Sequence, residues 1–324
     1  MNYKIIKSKA SFLHIKEQWE YLLNNCANRD IFYTYQWFKC WINSFLPEEK
    51  MLLVTANSSD RLHAILPLML SSYKKGSLQF NIIKSMTNKH SLRFDYLSDS
   101  PSPGQFAELL KRAFAETKSS MILLENVSEK SFIMKDLDEA CKIAKCKYLV
   151  RQQWENCLIK IENSFEEYFN TYLTSKFRKN VRAAERKALK RGTIKLLQPK
   201  TSDELENFLE RIFNIEKLSW KGKSNTLNGL SNADQNFIRD LSYKYMKSGW
   251  LHMSLIQNGD DDLAYFYCIG NYGILRGMRL AMADQFRNIG PGMINIKYFL
   301  EKTFEEKKFH LLDFGGGWAR YKND

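Results

Sequence analysis

The sequence has 324 residues, enough for two domains or one large one, and its 44% hydrophobic content allows substantial buried cores. Its formal net charge of +13 indicates an anionic partner such as nucleic acid, acidic lipid or a phosphorylated substrate. The six cysteines contain no C-x-x-C pair, which excludes a disulfide framework and a zinc site and predicts reduced thiols in the cytoplasm.

No segment of the sequence predicts a membrane span or a signal peptide. The longest apolar run, residues 64–70, contains Pro67 and is far shorter than the roughly 20 residues that cross a bilayer. Residues 1–23 carry charges throughout, unlike a secretory signal. We therefore expect a cytoplasmic protein without a membrane span and without a bound metal.

Helical and β-prone segments alternate along the whole chain, which is typical of a mixed α/β fold. In the first half we predict strands at 3–6, 51–56, 61–70, 78–86 and 121–125, and helices at 11–24, 34–45, 103–117 and 128–144, with Ser11 and Ser128 as N-caps. In the second half we predict strands at 148–152, 157–161, 193–197, 250–256, 263–270, 273–283 and 309–314, and helices at 165–172, 176–191, 203–220, 233–247 and 293–306.

A polar segment follows the strand predicted at 78–86, and it contains His90, Arg93 and Asp95. Histidine has the intrinsic pKa best suited to a general base near neutral pH. Arg93 and Asp95 would orient His90 or bind a substrate. The alternative is that His90 is a hydrogen-bonded structural histidine.

Positive charge is concentrated in residues 175–200, where ten Lys or Arg accompany one acid, so +9 of the +13 lies there. The helix predicted in this segment has Ser175 as its N-cap and places Arg178, Arg182 and Arg186 four residues apart, and therefore on one face. This face would clamp an anionic acceptor or a nucleotide phosphate. The alternative is a solvated helix face.

The chain turns from a strand into a helix at one short glycine-containing stretch. Its residues are Arg287, Asn288, Ile289, Gly290, Pro291 and Gly292. Glycines let the backbone approach a ligand closely, and the first N–H groups of a helix have no partner inside it, so such a turn can bind phosphate. Arg287 would add a forked cationic donor, whereas Pro291 removes one amide. An ordinary strand-to-helix turn is the alternative.

A fragment of the first half repeats this arrangement. Residues 99–104, a helix and the strand at 121–125 mirror residues 287–292, a helix and the strand at 309–314. The repeat indicates two domains of like architecture. Asp99 stands where the second copy has Arg287, and Ser102 stands where it has Gly290, so we expect only the second copy to hold a phosphate.

Motifs along nearly the whole chain resemble one family. They are Gln36-Trp37 with Trp41 and Phe45, residues 64–68, residues 90–96, residues 175–192, Glu216 with Trp220, Gly290-Pro291-Gly292, and Asp313-Phe314-Gly315-Gly316 with Tyr321-Lys322. The R-x-x-G-x-G spacing resembles the pyrophosphate-binding turn of the GNAT acetyltransferases. In this order the motifs resemble the CelD-like acetyltransferases, a GNAT branch similar in plan to the FemABX peptidyltransferases.

This resemblance implies an α/β fold of two tandem GNAT-like lobes, each a mixed central sheet flanked by helices. Residues 1–148 would form an acceptor-side lobe with a degenerate loop, and residues 149–324 would form the acyl-CoA lobe. It further implies transfer of an acyl group, as acetyl, from acetyl-CoA or another acyl-CoA to an amine. The acceptor would be a small or sugar-like molecule, anionic or nucleotide-linked.

The resemblance also suggests roles for individual residues. The pyrophosphate of coenzyme A would bind the backbone of the glycine turn, namely Arg287, Asn288, Ile289, Gly290 and Gly292. Glu216 and Asp313 join His90 as candidate bases, and Arg93, Asp95, Arg178, Arg182, Trp220 and Lys322 would bind substrate. For Glu216 the mid-helix position favours a surface location. For Asp313 the alternative role is to cap the following glycine turn.

Two other functions stay open from the sequence. One is an aminoacyl-tRNA-dependent transferase of the Fem type, in which the basic segment would contact tRNA and binding would depend steeply on salt. The other is a non-catalytic basic binding module on an acyltransferase scaffold. Binding of coenzyme A would distinguish the acyl-CoA enzyme from both.

Overall fold

The computed structural model describes the chain except for residues 48–49, 60, 118, 153, 224–229 and 317–324. The chain divides into two compact units, Met1–Gln152 and Gln153–Asp324. Among the described residues, each unit contains one six-stranded mixed sheet with helices packed against it. The predicted mixed α/β class with two mixed sheets is therefore confirmed.

The first unit begins with a strand and ends with a helix. Its elements are β1 (Asn2–Ile6), α1 (Lys9–His14), α2 (Lys16–Asn25), α3 (Tyr35–Phe45), β2 (Met51–Ser58), β3 (Arg61–Lys75), β4 (Leu78–Ser85), β5 (Leu97–Ser98), α4 (Pro103–Thr117), β6 (Ile122–Leu123) and α5 (Phe132–Ala144).

The sheet of the first unit has the strand order β1-β2-β3-β4-β6, with β5 paired to β3. Only the pairing of β4 with β6, where Ile83 lies opposite Ile122, is parallel among the named strands of this unit. A parallel pair needs a crossover, and α4 supplies it. The aromatic side chains of α3 are core residues, since Trp37 and Trp41 are 1% and 2% exposed.

The second unit follows the same plan. Its elements are β7 (Leu158–Lys160), α6 (Phe165–Thr171), α7 (Ser175–Leu189), β8 (Ile194–Leu197), α8 (Ser202–Leu218), α9 (Trp220–Lys223), α10 (Asn232–Lys247), β9 (Leu251–Asn258), β10 (Asp261–Asn271), β11 (Ile274–Met282), α11 (Pro291–Glu306) and β12 (Leu311–Asp313).

The sheet of the second unit has the order β7-β12-β11-β10-β9-β8. The strands β11 and β12 are parallel and are joined by α11, as β4 and β6 are joined by α4. Consecutive residues of β10 contact opposite layers: Phe266 packs edge-on against Phe299 of α11, while the Tyr265 hydroxyl bonds Glu216 of α8. The sheet therefore separates an α11 face from an α8 face.

The strand predicted at 148–152 is wrong. The described residues of this segment take part in no strand, and Leu149 is 84% exposed. A short apolar run lacks a stabilising partner when no neighbouring strand offers its backbone groups. The segment instead has no regular secondary structure and lies at the end of the first unit.

Three helix starts differ from the predicted caps. The hydroxyl of Ser8, and not that of Ser11, caps α1, and Ser131 rather than Ser128 caps α5. The N-cap of α7 is Thr174 instead of Ser175. In each case the predicted and the observed N-cap are both hydroxyl residues and lie within three positions of each other. The sequence does not distinguish which of the two hydroxyls accepts a backbone N–H of the first helical turn.

Acid should destabilise the second unit through His252 of β9. Its ring packs edge-on against Phe309 at 4.8 Å, and no described atom bonds its buried Nε2. Burial, then the charge of Lys308, lowers its pKa to about 4. Because the unfolded chain binds this proton more readily, the stability from neutral His252 is complete above about pH 6.5 and is lost as pH falls toward 4.

The predicted loss between pH 7 and pH 4 is on the order of 3 kcal/mol relative to a variant that cannot titrate. Urea unfolding of the natural protein and of His252→Gln across this range measures it. Parallel stability curves for the two proteins would show that His252 makes no such contribution.

Candidate functional site

The glycine turn, residues 287–292, lies between β11 and α11. Gly290 is the residue before α11 and has φ of +78°, a left-handed conformation that favours glycine. A Cβ at Gly290 would also lie 2.8 Å from the Met293 methyl. At Gly292, by contrast, no described heavy atom outside the helix backbone lies within 4 Å of an added Cβ, so the space beside it is empty.

The backbone amides of the turn fall into two groups. Those of Arg287, Ile289 and Gly290 donate to carbonyls three residues earlier, at 2.9 to 3.2 Å. No acceptor among the described residues pairs with the amides of Asn288 and Gly292. The turn is wound in 3₁₀ fashion, so it satisfies part of its own donors. The unpaired Gly292 amide lies in the first turn of α11, where the helix dipole favours an anion, and that of Asn288 precedes the helix.

The basic helix α7 packs directly against this turn. The Ala184 methyl lies 3.5 Å from the position of a Cβ at Gly290. The ammonium of Lys187 donates to the Asn288 carbonyl at 2.9 Å. Lys187 therefore holds a positive charge at Asn288 of the turn, and Arg287 and Asn288 are exposed.

The three aligned arginines of α7 differ in their contacts. Arg178 donates to the Leu173 carbonyl at 2.7 Å and to the Ser175 hydroxyl at 3.2 Å, so it closes the turn that precedes the helix. Arg182 lies 5.9 Å from the centre of the Phe169 ring and is exposed. Arg186 is also exposed. The structure thus gives Arg178 a structural contact and leaves the other two at the surface.

A cleft of about 550 Å³ begins at Met293, next to Gly292, and lies between α11, α6, β7 and the end of β12. Its walls are mainly apolar and aromatic, and they include Phe165, Tyr168, Phe169, Phe177, Ile296 and Phe314. The charged side chains of the lining are two lysines, Lys160 and Lys297, and two glutamates, Glu162 and Glu167. The volume lies in the range of small-molecule and cofactor sites.

The parallel pair β11 and β12 separates beside this cleft. The two strands pair only from Ile274 with Leu311 to Arg276 with Asp313, whereas β11 continues to Met282. Tyr267 of β10 pairs with Arg279 of β11, and the next residue of β10, Cys268, pairs with Gly277. Met278 is therefore an extra residue in β11 and forms a β-bulge. Beyond the bulge, no strand of the described residues pairs with the β12 side of β11.

Glu216 is buried on the α8 face of the sheet, which corrects the expected surface location. It is 2% exposed, pairs with Arg279 and accepts the Tyr265 hydroxyl at 2.6 Å. Burial, and then the Glu216 charge, raise the pKa of Tyr265 well above its usual value. Sequence spacing could not reveal this site because its partners lie on β10 and β11, far along the chain.

Asp313 at the end of β12 is fully buried. It pairs with Arg276, accepts the Asn156 amide at 3.1 Å on both oxygens and accepts the Gly315 backbone N–H at 2.7 Å. The last contact is the capping role that the sequence offered as the alternative to a base. Three donor groups on one carboxylate hold the ends of β12 and β7 together.

The three candidate residues of the first unit have defined surroundings. His90 is 4% exposed, its ring stacks on Phe45 at 5.9 Å and its backbone N–H donates to the Asn88 side chain. Arg93 is half-buried. Asp95 accepts the backbone amides of Phe132 at 2.8 Å and of its neighbour at 3.1 Å, so it anchors the start of α5. Burial raises the pKa of Asp95 to about 6.

Of the two remaining predicted substrate residues, only Trp220 is described. Trp220 follows α8 and is 45% exposed. Lys322 lies outside the described residues.

Among the residues that the structure describes, no His, Cys, Asp and Glu side chains are grouped to hold a metal ion. The described helices include none with the length and apolarity needed to cross a bilayer.

The second unit thus combines a parallel strand pair that separates, a glycine turn and a helix start with an unpaired amide. Residues 175–323 match the family model described as acetyltransferase (GNAT) domain. Most of the second unit is thus similar to a GNAT-type acetyltransferase domain. No curated protein matches the sequence.

Solved structures share the fold of the whole chain. A crystal structure of FemX has a TM-score of 0.57 at 12% identity, over 99% of this chain and 90% of that one. The structure of L-PGS from Bacillus licheniformis has a TM-score of 0.54 at 13% identity, over 94% and 77%. A conserved protein of unknown function from Bacteroides thetaiotaomicron has a TM-score of 0.59 at 8% identity, over 99% and 93%. At these identities the likeness establishes the tandem GNAT-like fold alone.

Sequence reasoning missed several residues around the separated strands. Arg276 pairs with the buried carboxylate of Asp313, and Arg279 pairs with that of Glu216. The ammonium groups of Lys187 and Lys221 donate to backbone carbonyls near the site. A signal was present in β11, because two arginines within an otherwise apolar strand imply buried counter-ions. No comparable pattern marked the lysines.

Proposed function

We propose that the protein is an acyl-CoA-dependent N-acyltransferase, with acetyl-CoA as the donor, that acts on an amine of a small or sugar-like acceptor. The main support is that a helix start with an unpaired amide and an apolar cleft adjoin along α11 in the second unit. The unpaired amides of Asn288 and Gly292 would hold the diphosphate, with Lys187 and Arg287 as counter-charges. The cleft that starts at Met293 would take the pantetheine arm.

The path would end at the gap between β11 and β12, where Phe314 lines the cleft. Backbone N–H groups on the uncovered side of β11 would donate to the thioester oxygen, and the acceptor would reach the carbonyl carbon from the α8 face. An attacking amine needs a group to accept its proton. His90, Glu216 and Asp313 remain the candidates, although the contacts of Asp313 with Arg276 and Gly315 favour a structural role.

Several features agree with this proposal. The empty space beside Gly292 suits a phosphate group, because a side chain there would fill it. In the first unit, Asp99 and its partner Arg61 stand at the corresponding turn, so we assign that lobe to the acceptor side. All six cysteines are free thiols, as expected for a cytoplasmic enzyme. Within the GNAT superfamily we favour the CelD-like branch.

Calorimetry with coenzyme A and pantetheine tests the proposal. We expect coenzyme A to bind with a micromolar Kd and pantetheine, which lacks the diphosphate, to bind at least about tenfold more weakly, a difference of 1.4 kcal/mol. Equal affinities would remove the phosphate role of the turn. Failure of coenzyme A to bind would overturn the acyl-CoA function.

An aminoacyl-tRNA-dependent transferase is the second candidate. The exposed basic side chains of α7 favour it, since a row of such charges fits a nucleic acid backbone. Those residues are Lys176, Lys179, Arg182, Arg186 and Lys190. This function predicts tRNA binding that weakens steeply with salt, and an electrophoretic shift assay at physiological salt measures it.

A further inference from the structure

The short helix α9 carries Lys221 to the uncovered part of β11. Lys221 Nζ donates to the Leu280 carbonyl at 2.7 Å. The neighbouring Gly222 makes this position possible, because a Cβ there would lie 2.5 Å from the Glu216 carbonyl at the end of α8. Glycine thus lets α9 fold back tightly and bring the lysine onto the sheet.

The Leu280 carbonyl points into the gap between β11 and β12. In antiparallel pairs, residues alternately turn both backbone groups toward the partner strand or away from it. The Ala283 amide donates to the Leu263 carbonyl at 2.9 Å, and the register runs without a shift from there to Leu280 opposite Phe266. Leu280 is three residues before Ala283, so its N–H and C=O both face away from β10, where β12 has already ended.

The ammonium of Lys221 therefore lies at the place where the proposed function puts the thioester. An ammonium has three N–H donors, and the Leu280 carbonyl occupies one of them. Glu216 and Arg279 are the charged groups nearest to it, and they neutralise each other as a pair. Burial lowers the pKa of Lys221, as expected for a cation brought into a partly dry gap.

We infer that Lys221 is a catalytic residue that donates to the carbonyl oxygen of the acyl donor, an inference that rests on the proposed function. As the amine nitrogen bonds to the carbonyl carbon, the C=O π electrons move onto oxygen, and the ammonium stabilises that charge together with the Leu280 N–H. When the C=O bond re-forms, the C–S bond breaks and sulfur leaves with its electron pair. The proton lost by the amine ends on that sulfur, so Lys221 is unchanged overall.

Infrared difference spectroscopy tests this inference without an acceptor. Acetyl-CoA labelled with ¹³C at the carbonyl is bound to the natural protein, to Lys221→Met and to Lys221→Arg. We expect the carbonyl stretch to move to lower wavenumber on binding to the natural protein, because the donors polarise the bond. Lys221→Met should lose most of this shift and Lys221→Arg should retain part of it. Affinity should change only a few-fold, since the contact strengthens mainly in the transition state.

Lys217→Met is the matched control, because it removes an exposed lysine one turn earlier, near the end of α8, and should keep the full shift. Gly222→Ala should reduce the shift while Lys221 is intact, since α9 can no longer pack on α8. Circular dichroism and melting confirm folding of each variant. An unchanged carbonyl shift in Lys221→Met would overturn this inference alone, whereas no acetyl-CoA binding by the natural protein would overturn the proposed function and this inference together.

Discussion

Replacing Gly292 by aspartate should abolish coenzyme A binding and leave the fold intact. The new side chain enters empty space, so it creates no clash within the protein. An aspartate at the second position of α11 interacts favourably with the helix dipole, by about 0.3–1 kcal/mol. The same carboxylate would occupy and repel the diphosphate site, and we expect at least a hundredfold loss of affinity, about 2.7 kcal/mol.

Gly104→Asp provides a matched control for this variant. Gly104 is the second residue of α4, follows a proline as Gly292 does, and likewise has no described atom near an added Cβ. Both variants should melt at or above the temperature of the natural protein, and only Gly292→Asp should lose binding in calorimetry. Loss of binding in Gly104→Asp alone would move the donor site to the first unit.

Glu216→Gln should lower the free energy of unfolding by about 3 kcal/mol, the cost of leaving a buried ion pair without one partner. Arg279 is 12% exposed at its side chain, and Glu216, at 3%, pairs with it. The glutamine side chain keeps the shape of the carboxylate and the contact to Tyr265, so the decrease in the free energy of unfolding measures the contribution of the charge. Urea unfolding of the folded variant measures it.

Glu210→Gln is the control for this change. Glu210 lies on the same helix and pairs with Arg239, but its side chain is 63% exposed. Pairs at the surface contribute about 0.2–1 kcal/mol, so the control should differ little from the natural protein. A loss below about 1 kcal/mol in Glu216→Gln would show that solvent reaches the pair and that the α8 face is less dry than its burial indicates.

The glycine turn was predictable because its determinants are local. Gly290, Pro291 and Gly292 fix the left-handed residue, the first helical position and the empty space within three residues. The alternation of strands and helices likewise indicated a mixed α/β fold. The sequence repeat at the two Pro-Gly helix starts corresponds to a repeat of topology in the structure, because α4 and α11 each lie in the connection between two parallel strands.

The pairing of charges was not predictable, because it depends on contacts between distant segments. Glu216 is separated from Arg279 by 63 positions, and only the packing of α8 on the sheet joins them. The same holds for Lys187, which reaches the turn because α7 packs on it 101 residues away in sequence. The segment 148–152 was predicted as a strand from its local β-propensity, but it forms none because no other strand among the described residues pairs with it.

Crystals soaked with acetyl-CoA test the central claim most directly. We predict density for the diphosphate against the amides of Asn288 and Gly292 in the second unit, with the pantetheine arm along α11 toward Phe314. Density at the Pro103-Gly104 turn of the first unit, or an empty glycine turn at saturating acetyl-CoA, would contradict it.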